Sequence, residues 1–495
     1  HDSNSVIWTL SEPYGSRDWW PCKQTLNDKI DSIDILVKTT IGNRVASNGI
    51  LVSESSDGFY SYFHWKHRYP VPAYLIAIAV TNYDVVSFWV TEGTDSLEIL
   101  NYIYPEDLSL FWYNISMTVP IMELFIDKFG PYPFEKEKYG HAQFGRNGGM
   151  EHQTMSFMGH FSGGLVAHEL AHQWFGDKIT CQSWEDLWLN ESFATFSDAL
   201  YYEHFRNHED FLVLKKSRIQ SITNFDGGSV FVNGSDTLSF SRLFSYRLTY
   251  QKGAMVLNMI RLKLGDSLFF KAVKNYLDDP ALAYNYALTE DIRWHFEQVS
   301  QLDLTGFFSD WIYGQGFPSY SIDLYPVKNH VSIQVNQKQS HASVDFFELP
   351  LPIRFYGKYG EQKTILFQND FEGQLFEVDL DFEPDSFAFD PEYHLISKDN
   401  VLRIHHLNID RNQFAVMYPN PVMDMLYIQF MEADVLKSIS ITDNLGRIVK
   451  GEEYNDLQIS PGMKISIPVQ DLFDGTYVVI IQLETTRVTH KLVKP

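Results

Sequence analysis

Residues 168–191 read His168-Glu169-Leu170-Ala171-His172, then eighteen residues, then Glu191 within Trp188-Leu189-Asn190-Glu191-Ser192. The run from Gly164 to Trp174 contains no proline and stops before Gly176, which predicts a helix. Positions four apart share a helix face at about 5–6 Å, so His168 and His172 can reach one ion. Glu169 then sits beside that ion without ligating it. This is the H-E-x-x-H pattern of a metalloprotease, with the glutamate as general base. Catalytic zinc takes three protein ligands and keeps one position for water. Glu191 is the third candidate, in a second predicted helix from Asp186 to Phe205. Asp198 comes seven residues later, roughly two turns along the same face, where a carboxylate can orient a ligand from behind. With 17 histidines the pentapeptide alone can arise by chance. The downstream Asn-Glu in a helical frame argues against chance.

Further motifs occur in a fixed order: Pro21-Cys22, Tyr74-Leu75-Ile76-Ala77, Gly148-Gly149-Met150-Glu151-His152, the zinc segments with Trp184-Glu185-Asp186-Leu187 ahead of Trp188, Tyr250-Gln251-Lys252-Gly253-Ala254, and Phe307-Phe308-Ser309-Asp310-Trp311 through Gly316-Phe317-Pro318. On these residues the chain, from about 8 to 400, resembles the gluzincin zinc aminopeptidases, the family of alanyl aminopeptidases and leukotriene hydrolase. The resemblance implies one Zn2+ per chain on His168, His172 and Glu191, with Glu169 as base and Tyr250 as hydrogen-bond donor to a tetrahedral oxyanion. Zinc in such a site lowers the pKa of a bound water to about 7. A free α-amine has a pKa near 7.7–8.0 and is largely cationic at neutral pH. The resemblance assigns its recognition to Glu151, with Glu12 as a second polar contact. Gly148, Gly149, Met150 and His152 complete the substrate-binding motif. His152 stands where the family usually has asparagine, and its protonation is expected to add pH dependence. Ser192 replaces the usual glycine, with little expected consequence.

At 495 residues, 44% of them hydrophobic, the chain is expected to hold several domains. A formal net charge of −24 argues against nucleic acid and anionic membranes as partners. Two cysteines, Cys22 and Cys181, exclude a disulfide scaffold and a cysteine-zinc site, and leave open whether they pair. The longest apolar run, Val71 to Val80, is too short for a membrane span of about 20 residues and reads as a buried strand. No signal-peptide pattern is read in these residues, and one is expected to have been lost with the residues before them. The chain opens at His1 and enters the family pattern midway, so roughly a hundred further residues are expected before it.

The expected fold class is multidomain α+β. Residues 1–95 read as the end of a truncated N-terminal β domain, and 96–318 as a thermolysin-like, mostly helical zinc domain. Residues 319–405 read as a small β-sandwich in which the apolar period changes to two. Many relatives continue with a helical domain that closes the active site. No such helical run follows here, so a more open cleft is expected, without basic residues to clamp a peptide carboxylate. Residues 412–495 form a string of short strands with Asn, Asp, Gly and Pro turns, an immunoglobulin-like sandwich. Its Tyr418-Pro419-Asn420-Pro421 opening, Asp443 to Arg447 turn and Lys491-Leu492-Val493-Lys494 end resemble the C-terminal sorting domain of the type IX secretion system.

Taken together these features imply a zinc aminopeptidase acting on peptides with a free N-terminus. It would be exported across a bacterial outer membrane to the surface or medium by the type IX machinery, without a transmembrane segment. A zinc endopeptidase uses the same H-E-x-x-H chemistry, and the amine-binding Glu151 argues against it. A surface binding protein that kept the fold without turnover is the alternative from a different class. An epoxide hydrolase activity rests on fold analogy alone. The preferred N-terminal residue and the oligomeric state are not legible in the sequence.

Overall fold

The computed structural model describes residues 5–92, 95–405 and 414–495. The expected junction between 405 and 412 falls outside the described residues, except at 405. The first strands are β1 (Ile7–Trp8), β2 (Ile33–Thr40), β3 (Arg44–Ser47), β4 (Ile50–Ser56), β5 (Tyr60–His67) and β6 (Ile78–Thr81). They pair as two three-stranded sheets, β1-β6-β3 and β2-β5-β4. In β2 strict alternation leaves Ile33, Ile35 and Val37 half-buried and turns Asp34, Leu36 and Lys38 outward, the period a one-sided strand requires. Val71 to Val80 corrects one expectation. It is almost wholly buried, but Ala73–Leu75 is a 3-10 turn and only Ile78–Thr81 pairs as strand. Pro70 and Pro72 lack the N–H a ladder needs.

A five-stranded sheet follows, in the order β10-β11-β9-β8-β7. Its members are β7 (Asp84–Glu92), β8 (Asp95–Ile103), β9 (Tyr139–Gln143), β10 (Gly149–Met150) and β11 (Ser156–Met158). The β7–β8 pairing spans the boundary expected at residue 95, so this sheet takes its outermost strand from 84–92. Strands β8 and β9 are parallel and joined through two helices, α1 (Leu108–Ser116) and α2 (Thr118–Phe129). Leu108–Phe129 is long and apolar enough, by length and composition, to cross a membrane. It bends at Met117, and α2 buries Ile121, Met122, Phe125 and Phe129 against the protein. At the other edge, among the described residues, β10 pairs only with β11.

The helices α3 (Gly163–Ala171), α4 (Trp188–Phe205) and α5 (His208–Ile222) come next, with further helices at Gly253–Leu264, Asp266–Asp278 and Thr289–Ser300. Among the described residues everything after Tyr313 is strand or connection. Strands 318–327, 330–339, 374–379 and 401–404 make one sheet, and 349–357, 362–369 and 384–389 another. Ile322, Ile333 and Val335 of the first and Leu351, Ile353 and Phe355 of the second belong to the same apolar core as the helical part. The C-terminal strands form sheets of three and four strands around a separate core that includes Leu426, Ile428, Ile439, Val479 and Ile481. The observed architecture is thus N-terminal β sheets, a helical centre and C-terminal β domains. Cys22 and Cys181 are both free thiols.

Gly140 illustrates how tightly the central sheet closes. A Cβ there would lie 1.8 Å from the carbonyl oxygen of Leu100, its partner across the β8–β9 pair. Gly140→Ala is therefore expected to cost about 2–3 kcal/mol, the range of core overpacking, read as a lowered midpoint in urea unfolding.

Candidate active site

The metal helix forms because Ser162 caps it, its hydroxyl accepting from the Leu165 N–H at 3.4 Å. His168 lies in its last turn and His172 at its end. The chain then turns through Gly176 (φ 129°), where Phe175 presents its carbonyl to His172 Nδ1 at 3.0 Å. That contact leaves His172 Nε2 facing the site. Helix α4 lies against this turn. Its Asn190 accepts from the Cys181 N–H at 3.1 Å and donates to the Tyr74 hydroxyl at 3.4 Å. The neighbouring Glu191 is delivered to the histidines. His168 Nε2 and His172 Nε2 are 3.1 Å apart, and Glu191 Oε2 is 3.3 Å from each.

These separations can be tested against a metal. Tetrahedral zinc with bonds of about 2.0–2.1 Å needs donor atoms roughly 3.3 Å apart. The three atoms meet that spacing, and the donor set of two imidazoles and one carboxylate suits the ion. The residues therefore fit zinc.

Glu169 points into the same space, and its Oε2 is buried without a hydrogen-bond partner. Gly149 is what admits it: a Cβ on Gly149 would sit 2.2 Å from Glu169 Oε1. Gly148 makes the preceding turn with φ 83°. Gln173, directly after the second histidine, holds the next segment in place. It accepts from the Thr154 N–H at 2.8 Å and donates to the Glu151 carbonyl at 3.4 Å. The pattern reading passed over Gln173, although its position beside His172 was visible.

A cavity of about 440 Å³ is lined by Glu12, Gly148, Gly149, Met150, Glu151, His168, Glu169, His172, Glu191, Asp198, Arg218, Tyr246 and Tyr250, among others. Glu12 Oε1 and Glu151 Oε1 are buried there and make no hydrogen bond. Burial, with repulsion from Glu151 and Glu191, pushes Glu12 well above the carboxylate range. Burial, partly offset by His172, raises Glu151 to about 7. Burial also lifts Glu169 well above its ordinary value, against the opposing pull of His172. Burial opposes ionisation of Glu191 too, but His172 and His168 outweigh it and hold that carboxyl well below the usual range. Four converging carboxyl groups against two imidazoles make a site that gains by taking up positive charge.

Tyr250 lies in a π-helix, Tyr246–Lys252. Such widened turns recur at functional sites. Its hydroxyl donates to Glu191 Oε1 at 2.8 Å, and its ring stacks on His168 at 6.1 Å between centroids. Burial pushes the phenol's pKa well up, so it stays a donor.

Two sequence expectations change. Asp198 is bound by Arg218 of α5, not by a ring nitrogen of His168. Burial raises the Asp198 carboxyl, and the charges of Arg218 and His168 oppose that. The histidine that is oriented is His172, and a backbone carbonyl does it. His152 is absent from the cavity lining. It is fully buried edge-on against Phe157, with ring centroids 4.4 Å apart, and neither nitrogen has a partner. Burial lowers its pKa to about 3, so it is neutral near pH 7 and adds no titration there.

Residues 113–311 match the peptidase family M1 domain model. The chain carries a peptidase family M1 domain. Residues 416–495 match the secretion system C-terminal sorting domain. Over 444 residues the chain is 24% identical to a probable aminopeptidase 1 of Sulfurisphaera tokodaii, covering 84% of this chain and 52% of that protein. It is 24% identical to a leucyl aminopeptidase of Saccharolobus solfataricus, covering 74% and 49%. The chain thus spans about half the length of these curated relatives. A solved M1 zinc metallopeptidase mutant from Deinococcus radiodurans, bound to a Tyr-Ser-Ala substrate, superposes with a TM-score of 0.54 at 23% identity, over 62% of this chain and 69% of that one. That likeness shows a shared fold.

Two outcomes follow for this M1 domain. Gly149→Ala should lower kcat/KM at least about 100-fold through displacement of Glu169, with the far-UV spectrum unchanged. A histidine whose folded pKa is depressed takes its proton more readily when unfolded, so stability is lost as pH falls from about 6.5 toward 3. For His152 the loss at pH 5 is on the order of 2 kcal/mol. Denaturation of His152→Asn at pH 7 and pH 5 should show that much less acid sensitivity than the parent, with a pH–rate profile unchanged between pH 6 and 8.

Proposed function

We propose that this chain is a zinc-dependent aminopeptidase with one Zn2+ on His168, His172 and Glu191. The observation that carries the reading is the convergence, on one cavity, of the three metal-spaced donor atoms with the unpartnered buried oxygens of Glu12 and Glu151. The names of the relatives, aminopeptidases from several organisms, support it. Zinc would supply Lewis acidity and a water of lowered pKa.

The chain's own groups divide the remaining work. Glu12 and Glu151 pair with the substrate's ammonium, which fixes the distance from the N-terminus to the first peptide bond. The free edge of β10, at Gly149–Met150, accepts the substrate backbone as an added strand. Gly148 and Gly149 allow that approach. Glu169 takes a proton from the attacking water and passes it to the leaving amine. The Tyr250 O–H turns from Glu191 toward the developing oxyanion and donates to it. His152 serves packing in this reading, not substrate contact.

A second cavity, of about 530 Å³, adjoins the first and shares Ser162, Gly164, Tyr202 and Leu214 with it. It supports a cleft open to longer peptides, as expected for a chain whose described residues add only strands after Tyr313. We read residues 96–318 as a thermolysin-like catalytic lobe, 319–405 as a β-sandwich support, and 412–495 as a type IX sorting module that routes the enzyme across the outer membrane.

A panel of aminoacyl arylamides tests the core of this proposal. Free-amine substrates should turn over, N-acetylated ones should not, and a chelator should abolish activity that zinc restores. Glu169→Gln should lower kcat by about 10²–10⁴-fold, and a wild-type rate in that variant would falsify the mechanism. Glu151→Gln should raise KM more than it lowers kcat. For the open cleft, peptides longer than about ten residues should be cleaved within roughly tenfold of the kcat/KM of short ones, and their refusal would rule it out.

A further inference from the structure

The residue after the third metal ligand makes a contact that the proposed chemistry has not yet used. Ser192 is fully buried, and its hydroxyl donates to the carbonyl of Thr249 at 2.7 Å. Thr249 immediately precedes Tyr250 in the π-helix. In an α-helix the N–H of Gly253 would donate to Thr249, four residues back. Here it donates to Leu248, five back. The widened turn thus takes that donor from Thr249, and Ser192 supplies another.

The fit is close on both sides. A Cβ on Gly253 would lie 1.8 Å from Ser192 Oγ and 2.7 Å from its Cβ, so the hydroxyl reaches Thr249 only because residue 253 is glycine. Consecutive residues of α4 therefore hold consecutive residues of the π-helix: Glu191 through the Tyr250 phenol at 2.8 Å, and Ser192 through the Thr249 backbone at 2.7 Å. One link is made by a side chain free to rotate. The other fixes the backbone from which that side chain swings.

We propose that Ser192 is a positioning residue for Tyr250: it fixes the π-turn so that the phenol reaches the reacting carbonyl when it leaves Glu191. The proposal rests on the aminopeptidase reading above and on Tyr250 being the oxyanion donor. A phenol on a loosened turn still binds substrate but meets the transition state less often, so the loss falls on kcat and not on KM.

The test is a double-mutant cycle on the full chain loaded with zinc, with metal retention measured separately. Ser192→Ala should lower kcat roughly tenfold with KM within about twofold. Gly253→Ala, which displaces the same hydroxyl, should do likewise. In the Tyr250→Phe background Ser192→Ala should cost nothing more, because residues acting as a unit are not additive. Competition with a chelator should give the same zinc affinity for Ser192→Ala and the parent within about twofold. Additive losses, with Tyr250→Phe itself slow, would overturn the role of Ser192 and leave the aminopeptidase reading standing. A large fall in zinc affinity would place Ser192 with Glu191 and also overturn it. A Tyr250→Phe variant at wild-type rate would remove the assignment of Tyr250 and this proposal together.

Discussion

The crossing of α3 and α4 sets the rest of the site. It brings two imidazole nitrogens and one carboxylate oxygen within 3.1–3.3 Å of one another at a mostly buried wall of the cavity. Three such groups pack that closely only if a shared cation or proton compensates them, because burying an uncompensated charge costs several kcal/mol. The protein holds them there through contacts remote from the chemistry: Phe175 on His172, Asn190 on Cys181, and Trp188 on Thr289 at 2.8 Å. Each belongs to the fold, and each fixes a degree of freedom of a ligand.

Charge then sorts the carboxylates by role. Glu191 lies between both histidines and stays ionised, as a ligand must. Glu169, Glu151 and Glu12 share the cavity without a direct cationic partner, and burial raises all three. A group poised this way is suited either to exchanging a proton or to pairing with an arriving cation. Glu169 is closest to Gly149 and hence to the edge where a backbone can lie. Glu12 and Glu151 each turn an unpartnered buried oxygen into the same cavity. The same chemical group differs in charge because the fold gives it different surroundings.

His168, His172, Glu191, Glu169, Glu151 and Tyr250, which the structure brings to one cavity, were legible as candidates because each sits at a fixed spacing on a regular helix or within a glycine-marked motif. Helical period also marks Met255 to Leu264 and Phe269 to Leu277, which lie within the observed helices Gly253–Leu264 and Asp266–Asp278. What pattern could not reach depends on contacts between distant segments. Arg218, twenty residues from Asp198, claims that carboxylate. Phe157 and the surrounding core decide that His152 is buried and neutral. Ser192 looked inconsequential because its partner, Thr249, is 57 residues away. The strand expected across 71–80 failed for a local reason, Pro72 within the stretch and Pro70 just before it.

The C-terminal module is built differently from the rest. Its core is separate from the apolar core that runs from Leu26 to Ile396. Among the described residues its contacts with the preceding sandwich include polar and aromatic ones: Lys464 with Glu377 at 2.7 Å and with His330 at 3.0 Å, and Tyr418 stacked on Tyr325 at 5.8 Å. Exposed or half-exposed ion pairs contribute little to stability, about 0–1 kcal/mol. A module with its own core and such contacts at its seam can be engaged or removed without cutting into the apolar interior that supports the metal ligands. The separation of the two cores is therefore the structural counterpart of the two family matches, one on the metal-bearing segment and one on the tail.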